Sequence, residues 1–165
     1  MHEMIPADVL EAIRLFFEAI DRLSFRSRFF QVLNAFSVAD YYRYTDPADV
    51  LFLMDKLRDL LSSLEPWAQT LVIPEVAPIS FPYLGSLNPG EAPEEVIARF
   101  FHLYKGDELV RWLEVIRYYA LSSQRGADSG EEIDTLGFYH DVSRVVEASS
   151  QLHSRFNWNR QSNNP

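Results

Sequence analysis

The sequence predicts an all-α fold, a compact bundle of about six helices. Apolar residues recur at spacings of three and four along several segments, which is the spacing of one helix face. Prolines followed two residues later by an acid mark the starts of these segments. No segment shows sustained strand alternation, and the run Leu71–Ile73 is the single strand candidate.

The first helix begins with the letters PADVL at Pro6–Leu10. Proline suits the first helical position because its missing N–H would have no partner there. Asp8 places a negative charge near the positive end of the helix dipole. The apolar stripe that follows is Val9, Ile13, Phe16, Ile20 and Leu23.

The same five letters recur at Pro47–Leu51, where Asp46 is a good N-cap. This stripe lies 41 residues after its counterpart, member by member, and Pro66 then predicts an end or a kink. A helix between the two copies would complete a helical hairpin, so we interpret the pattern as a decayed hairpin duplication. The second stripe is Val50, Met54, Leu57, Leu61 and Leu64, and the intervening helix presents Phe29, Val32, Leu33 and Phe36.

Three further helices are predicted in the second half of the chain. The fourth runs from Pro93 to about Tyr104, and the fifth from Asp107 to about Ser122. The sixth begins at a capping-box spacing, Ser129-x-x-Glu132, and Gly137 is expected to weaken it. The fifth stripe is Leu109, Leu113, Ile116 and Ala120, and the sixth is Phe138, Val142, Val145, Ser149, Leu152 and Phe156.

The 165 residues are the size of one domain. We predict a single helical domain over residues 1–154, followed by a polar C-terminal tail over residues 155–165. Residues 74–93 carry five of the nine prolines, which predicts one long irregular loop within the domain. Loops of this length in compact domains are usually functional or disordered.

Composition excludes several classes of function. The chain has no cysteine, so disulfides, thiolate metal sites and thiol nucleophiles are excluded. A net charge of −9 disfavours nucleic-acid partners. The sequence has neither a secretory signal nor an apolar stretch of about 18 residues, so we expect a cytoplasmic protein without membrane insertion.

Chemical motifs are scarce. No glutamate lies three residues before a histidine, no HExxH occurs, and we predict neither a metal site nor a cofactor. The pair His140–Asp141 is the most catalysis-like cluster, although we interpret it first as a surface pair on a helix. The serine pairs Ser122–Ser123 and Ser149–Ser150 are interpreted as serines of helix surfaces or ends, because nothing identifies a base for them.

Aromatic doublets are the more distinctive feature, and they are Phe16–Phe17, Phe29–Phe30, Tyr41–Tyr42, Phe100–Phe101 and Tyr118–Tyr119. Adjacent helical residues cannot both lie at the centre of one narrow stripe. Helices that bury two faces would explain the doublets. Alternatively, some of the rings form a partner-binding groove or an oligomer interface, where aromatic residues are enriched.

We therefore expect a non-catalytic protein–protein interaction module, an adaptor or an assembly subunit, whose partner is another protein or a second copy of itself. The partner-binding candidates are Phe81 and Tyr83 in the proline-rich loop, and Phe156 and Trp158 near the C-terminus. Two alternatives stay open. One is a sensor or carrier that binds a small molecule between aromatic-lined helices, and the other is an enzyme centred on His140.

Overall fold

The described residues form six α-helices and one short 3-10 helix. The computed structural model describes residues 5–38, 46–73, 86–88 and 90–162, with side chains up to residue 156. The helices are α1 Ala7–Ala19, α2 Arg22–Ser37, α3 Pro47–Ala68, α4 Pro93–Leu103, α5 Gly106–Ala120 and α6 Thr135–Ser162, with the 3-10 helix at Gly126–Ser129.

The all-α prediction is confirmed, because no strand occurs in the described ranges. The strand candidate at Leu71–Ile73 was wrong. These residues form a bend and irregular chain after α3, and Val72 is 86% exposed. Three apolar residues are too few to form a sheet by themselves, and the described part of the chain has no strand with which they could pair.

The long helix α6 packs against α1, α2 and α4, while α3 packs against α1, α2, α4 and α5. Helices α4 and α6 run antiparallel, since Tyr104 at the end of α4 bonds Asp141, whereas Glu94 at its start pairs with Arg155. The predicted apolar stripes of α2 and α5 are buried in the core, as is the α6 stripe through Leu152. Phe156 is partly buried, and the segment predicted as a polar tail continues α6 through Ser162.

Aspartate side chains cap the starts of three helices. At the start of α2, the Asp21 carboxylate accepts the Leu23 and Ser24 N–H groups. The Asp46 carboxylate accepts the Ala48 N–H at 2.9 Å, as predicted for an N-cap of α3. The predicted capping box at Ser129 was wrong, because Ser129 closes the 3-10 helix and α6 begins only at Thr135. There the Asp134 carboxylate accepts the Gly137 N–H at 3.0 Å. Gly137 therefore lies in the first turn of α6 and does not interrupt it.

The internal repeat holds only in part. The first four members of each stripe are buried in both copies, but the fifth pair differs: Leu64 is fully buried, whereas Leu23 is 69% exposed. The reason is that α1 ends at Ala19 and Ile20 adopts an extended conformation, so Leu23 belongs to α2. Helix α3 instead continues through its 22 residues and ends two residues after Pro66.

The described aromatic doublets differ in how far their two rings are buried. Phe100 and Phe101 are both buried, with ring centroids 5.1 Å apart in an edge-to-face arrangement. By contrast, the Phe30 ring is 49% exposed and the Tyr118 ring is 63% exposed. The doublet at residues 41–42 lies outside the described residues. Phe16 is buried, and Phe17 is partly buried against the core. Burial thus accounts for two of the described doublets, whereas each of the other two exposes one ring.

Gly126 provides the first testable prediction. A Cβ at this position would lie 2.0 Å from the Phe36 ring, far inside van der Waals contact. We expect Gly126→Ala to lower the free energy of unfolding by about 1–3 kcal/mol, the usual cost of overpacking. Urea denaturation followed by circular dichroism measures this, and Ala127→Ser in the same short helix is the control. An unchanged Gly126→Ala midpoint would contradict the packing of Phe36 on this glycine.

Candidate functional site

The structure describes only part of the predicted interaction surface. Phe81 and Tyr83 lie outside the described residues, as does the side chain of Trp158, whose backbone belongs to α6. Phe156 is partly buried on the same helix. These four candidates therefore stay predictions, and the search for a site turns to groups that the fold itself brings together.

His140 is buried rather than on the surface, which corrects the expected surface pair. It is 7% exposed, and its Nδ1 lies 3.0 Å from Asp141 Oδ1. The second oxygen of Asp141 accepts a hydrogen bond from the Tyr104 hydroxyl at 2.8 Å. Tyr104 was not predicted as a member of this cluster, because it directly follows α4 and lies 37 residues before Asp141 in the chain. Burial, together with this bond to Asp141, raises the pKa of the Tyr104 hydroxyl above its ordinary value.

A second polar cluster lies beside this one, and we call it the Glu91 clamp. Both oxygens of Glu91 are occupied: Oε1 accepts from Arg99 at 3.2 Å, and Oε2 accepts from Arg144 and from the Asn88 N–H at 3.0 Å. The Glu91 and Arg144 side chains are only 7% and 8% exposed. The clamp therefore joins the chain just before α4 to the first half of α6.

The space beside these clusters is small. A cavity of about 40 Å³ lies between α4 and α6, lined in part by Arg99, Asp141 and Arg144. A volume of this size accommodates water, whereas pockets for drug-sized ligands are roughly 300–1,000 Å³. The Tyr104, Asp141 and His140 groups thus form a hydrogen-bonded polar network, and the small cavity lies beside its Asp141.

Ser149, one of the serines considered as a nucleophile, is also buried. It is 0% exposed, and its hydroxyl has no hydrogen-bond partner among the described residues. Its place in the apolar stripe of α6, rather than on a helix surface, corrects the expectation.

This burial makes Ser149 a site for a stabilising substitution. An unsatisfied buried hydroxyl carries a desolvation penalty of about 1–3 kcal/mol, which an alanine of similar shape would not. We expect Ser149→Ala to raise the free energy of unfolding by about 1 kcal/mol or more. Thermal and urea denaturation measure the change, with the partly exposed Ser150→Ala as the neighbouring control. A destabilised Ser149→Ala protein would imply a bonded hydroxyl.

A larger opening lies where α3 ends, and we call it the α3–α4 cleft. It has a volume of about 420 Å³ and is bounded by the last turn of α3, the chain after it, α4 and the start of α5. Its apolar lining is Ala68, Leu71, Ile73, Ala98 and Phe101, and its polar lining is Glu65, Gln69, His102 and Lys105. The cleft therefore combines apolar walls with a few polar groups.

Glu65 is fixed at one side of this cleft. Its Oε1 accepts the Gly106 N–H at 3.1 Å and the Gln69 amide at 3.2 Å. The first bond supplies a cap for α5, whose own N-cap residue, Lys105, makes no side-chain capping bond. A carboxylate at a helix N-terminus is also favoured by the helix dipole. Glu65 thus links the end of α3 to the start of α5 across the cleft.

The location of the cleft was partly indicated by the sequence. The repeat of apolar residues loses definition near Pro66, and the cleft opens beside the residues that follow. The polar lining was not predictable, because Glu65 and Lys105 are 40 positions apart in the sequence. Neither carries a motif that would single it out.

The described residues show neither a metal site nor a helix that could cross a membrane. Among the described residues, no group of three or more histidine, aspartate or glutamate side chains is arranged to hold a metal ion. None of the described helices combines the length and apolarity that a bilayer crossing requires. No family model, curated protein or solved structure matches this chain. Its function must therefore be argued from the chemistry of its own residues.

Proposed function

We propose that this is a non-catalytic binding protein that holds a small molecule in the α3–α4 cleft. The observation that carries the proposal is the cleft itself, about 420 Å³ in volume, with apolar walls and four polar side chains. Ligand sites in proteins have this size and this mixture, in which apolar contacts supply affinity and a few polar groups fix orientation. The proposed role is that of a sensor or carrier.

The chemistry at His140 supports a non-catalytic role. A general base must come within hydrogen-bonding reach of the proton that it abstracts. His140 is buried and bonded to Asp141, which itself accepts from Tyr104. The neighbouring cavity of about 40 Å³ is well below the roughly 300–1,000 Å³ of a typical ligand pocket.

A blocking variant tests the cleft. Gln69 lines it and is exposed, so Gln69→Trp is expected to fill part of the cleft without disturbing the core. Gln124, which is exposed in the loop after α5, provides the matched control Gln124→Trp. A small-molecule fragment mixture is screened by ligand-detected NMR against all three proteins. We expect some fragments to bind the parent protein and the Gln124→Trp variant but not the Gln69→Trp variant. A protein that binds no fragment, or binds equally in both variants, would contradict the proposal.

A second candidate function is self-association or binding of a protein partner. The Phe30 ring on α2 is half exposed and packs edge-on against Tyr139 of α6, with centroids 5.6 Å apart. Leu136, one turn before Tyr139, is 60% exposed. Exposed aromatic and apolar side chains are enriched where proteins meet.

Light scattering across a concentration series tests whether the protein binds a second copy of itself. We expect mass to rise with concentration in the parent protein, and Phe30→Ser to shift the rise to higher concentration. Tyr118→Ser, which removes an exposed ring on α5, is the comparison. A monomeric mass over the whole series would count against self-association.

A further inference from the structure

The charges of the α3–α4 cleft narrow the class of its ligand, an inference that rests on the function proposed above. Glu65 and Lys105 line the same cleft and carry opposite charges. Their side chains do not form an ion pair with each other. Within the described ranges, the Glu65 side chain bonds only the Gly106 N–H and the Gln69 amide, and the Lys105 side chain has no partner. Both signs of charge are therefore available to an occupant.

The hydrogen bonds of Glu65 leave one oxygen available. Oε1 receives both the Gly106 N–H and the Gln69 amide, whereas Oε2 accepts no hydrogen bond from the described residues. An ammonium group is the natural donor to such an oxygen, because charge-assisted bonds are the stronger kind. Oε1 holds the carboxylate in place, so its orientation is set before any ligand binds.

Lys105 offers the opposite chemistry. Its exposed side chain follows α4, and the imidazole of His102, also exposed, lines the same cleft. An ammonium binds a carboxylate as a point charge with several donors. The remaining wall, which includes Leu71, Ala98 and Phe101, is apolar and suits a hydrocarbon body.

We propose that the cleft binds a small zwitterion with an apolar body, such as an amino acid with an aliphatic or aromatic side chain. Its ammonium group bonds Glu65 Oε2, its carboxylate lies against Lys105, and its side chain contacts the apolar wall. A ligand with a single charge would satisfy one of the two protein groups and leave the other without a partner. The charge pattern thus favours a zwitterion over either an amine or an acid alone.

Three matched probes test this class by isothermal titration calorimetry. L-leucine carries both charges, 4-methylpentanoate lacks the ammonium, and 3-methylbutylamine lacks the carboxylate; the phenylalanine series is measured in parallel. We expect one of the amino acids to bind at least about tenfold more tightly than either of its analogues, the value of one charge-assisted bond. Glu65→Gln removes the charge that faces the ammonium, so we expect it to reduce the preference for the amino acid over the acid. Lys105→Gln removes the charge that faces the carboxylate, so we expect it to reduce the preference for the amino acid over the amine. Glu108→Gln and Lys56→Gln, which lie away from the cleft lining, should change neither preference.

The outcomes separate this inference from the function on which it rests. If an analogue binds as tightly as its amino acid, and that binding is lost in Gln69→Trp, the cleft is a ligand site but the zwitterion class is overturned. If the amino acids bind and Glu65→Gln leaves their preference unchanged, the assigned role of Glu65 is overturned. If neither these probes nor the fragment mixture binds, the proposed function fails together with the inference.

Discussion

Replacing Phe29 with alanine is expected to lower the free energy of unfolding by about 3–5 kcal/mol, because the ring lies at the centre of an aromatic core. Phe29 is 0% exposed and stacks on Phe25, with centroids 5.4 Å apart. It also contacts Phe138 and Tyr139 of α6, at 6.2 Å and 6.1 Å between centroids. Truncation would remove these contacts and leave a cavity between α2 and α6. Urea denaturation followed by circular dichroism measures the loss.

The adjacent residue provides a matched control. Phe30 follows Phe29 in the same helix and has the same chemistry, but its ring is 49% exposed. We expect Phe30→Ala to cost about 1 kcal/mol or less, since half of its apolar surface already faces water. Equal costs for the two substitutions would mean that α2 is rotated relative to the orientation described here.

Replacing Glu91 with alanine is expected to lower the free energy of unfolding by about 3–5 kcal/mol, which is the second large effect. Glu91 is the only described carboxylate that bonds Arg144, whose side chain is 8% exposed. Removing it leaves a guanidinium buried between α4 and α6 without its counter-charge. The cost therefore comes mainly from the desolvated arginine and less from the value of the ion pair itself. Chemical denaturation of the parent and variant measures it.

Two further variants test whether the loss of stability comes from the buried, unpaired charge of Arg144. Glu95 also pairs with Arg99, at 3.4 Å, but its side chain is 36% exposed, so Glu95→Ala should cost about 1 kcal/mol or less. The double variant Glu91→Met with Arg144→Leu removes both charges, and we expect it to recover much of the stability lost in Glu91→Ala. Failure of the double variant to recover any stability would assign the loss to packing or to the Asn88 bond instead.

Helix α4 connects the Glu91 clamp to the α3–α4 cleft. Ala98, Phe101 and His102 line the cleft, whereas Arg99 bonds Glu91 in the clamp. Side chains at neighbouring positions of a helix point about 100° apart, so one short helix serves both regions. Substitutions in the clamp can therefore alter ligand binding through the position of α4, and ligand measurements on Glu91 variants should be read beside their stability.

The sequence by itself determined the helical class and most of the core. Spacings of three and four identify which side of a helix is apolar, and that side must be buried in a folded chain. This is why the stripes of α2, α3 and α5 were predicted residue by residue. The start of a helix was predictable where its cap is a neighbouring residue, as at Asp46. The prediction was wrong at Ser129, because a 3-10 helix lies between this residue and α6.

Only the tertiary structure decided which helices meet and what their polar residues do. Periodicity is a local property, whereas the Glu91 clamp joins positions 53 residues apart and the Tyr104–Asp141 bond joins positions 37 apart. His140 looked like a surface residue because polarity is the usual sign of exposure, yet α6 is covered on several sides by other helices. The α3–α4 cleft likewise exists only where helix ends from distant parts of the chain converge. Long-range packing, which no local pattern encodes, sets the surroundings of His140, of the Glu91 clamp and of the α3–α4 cleft.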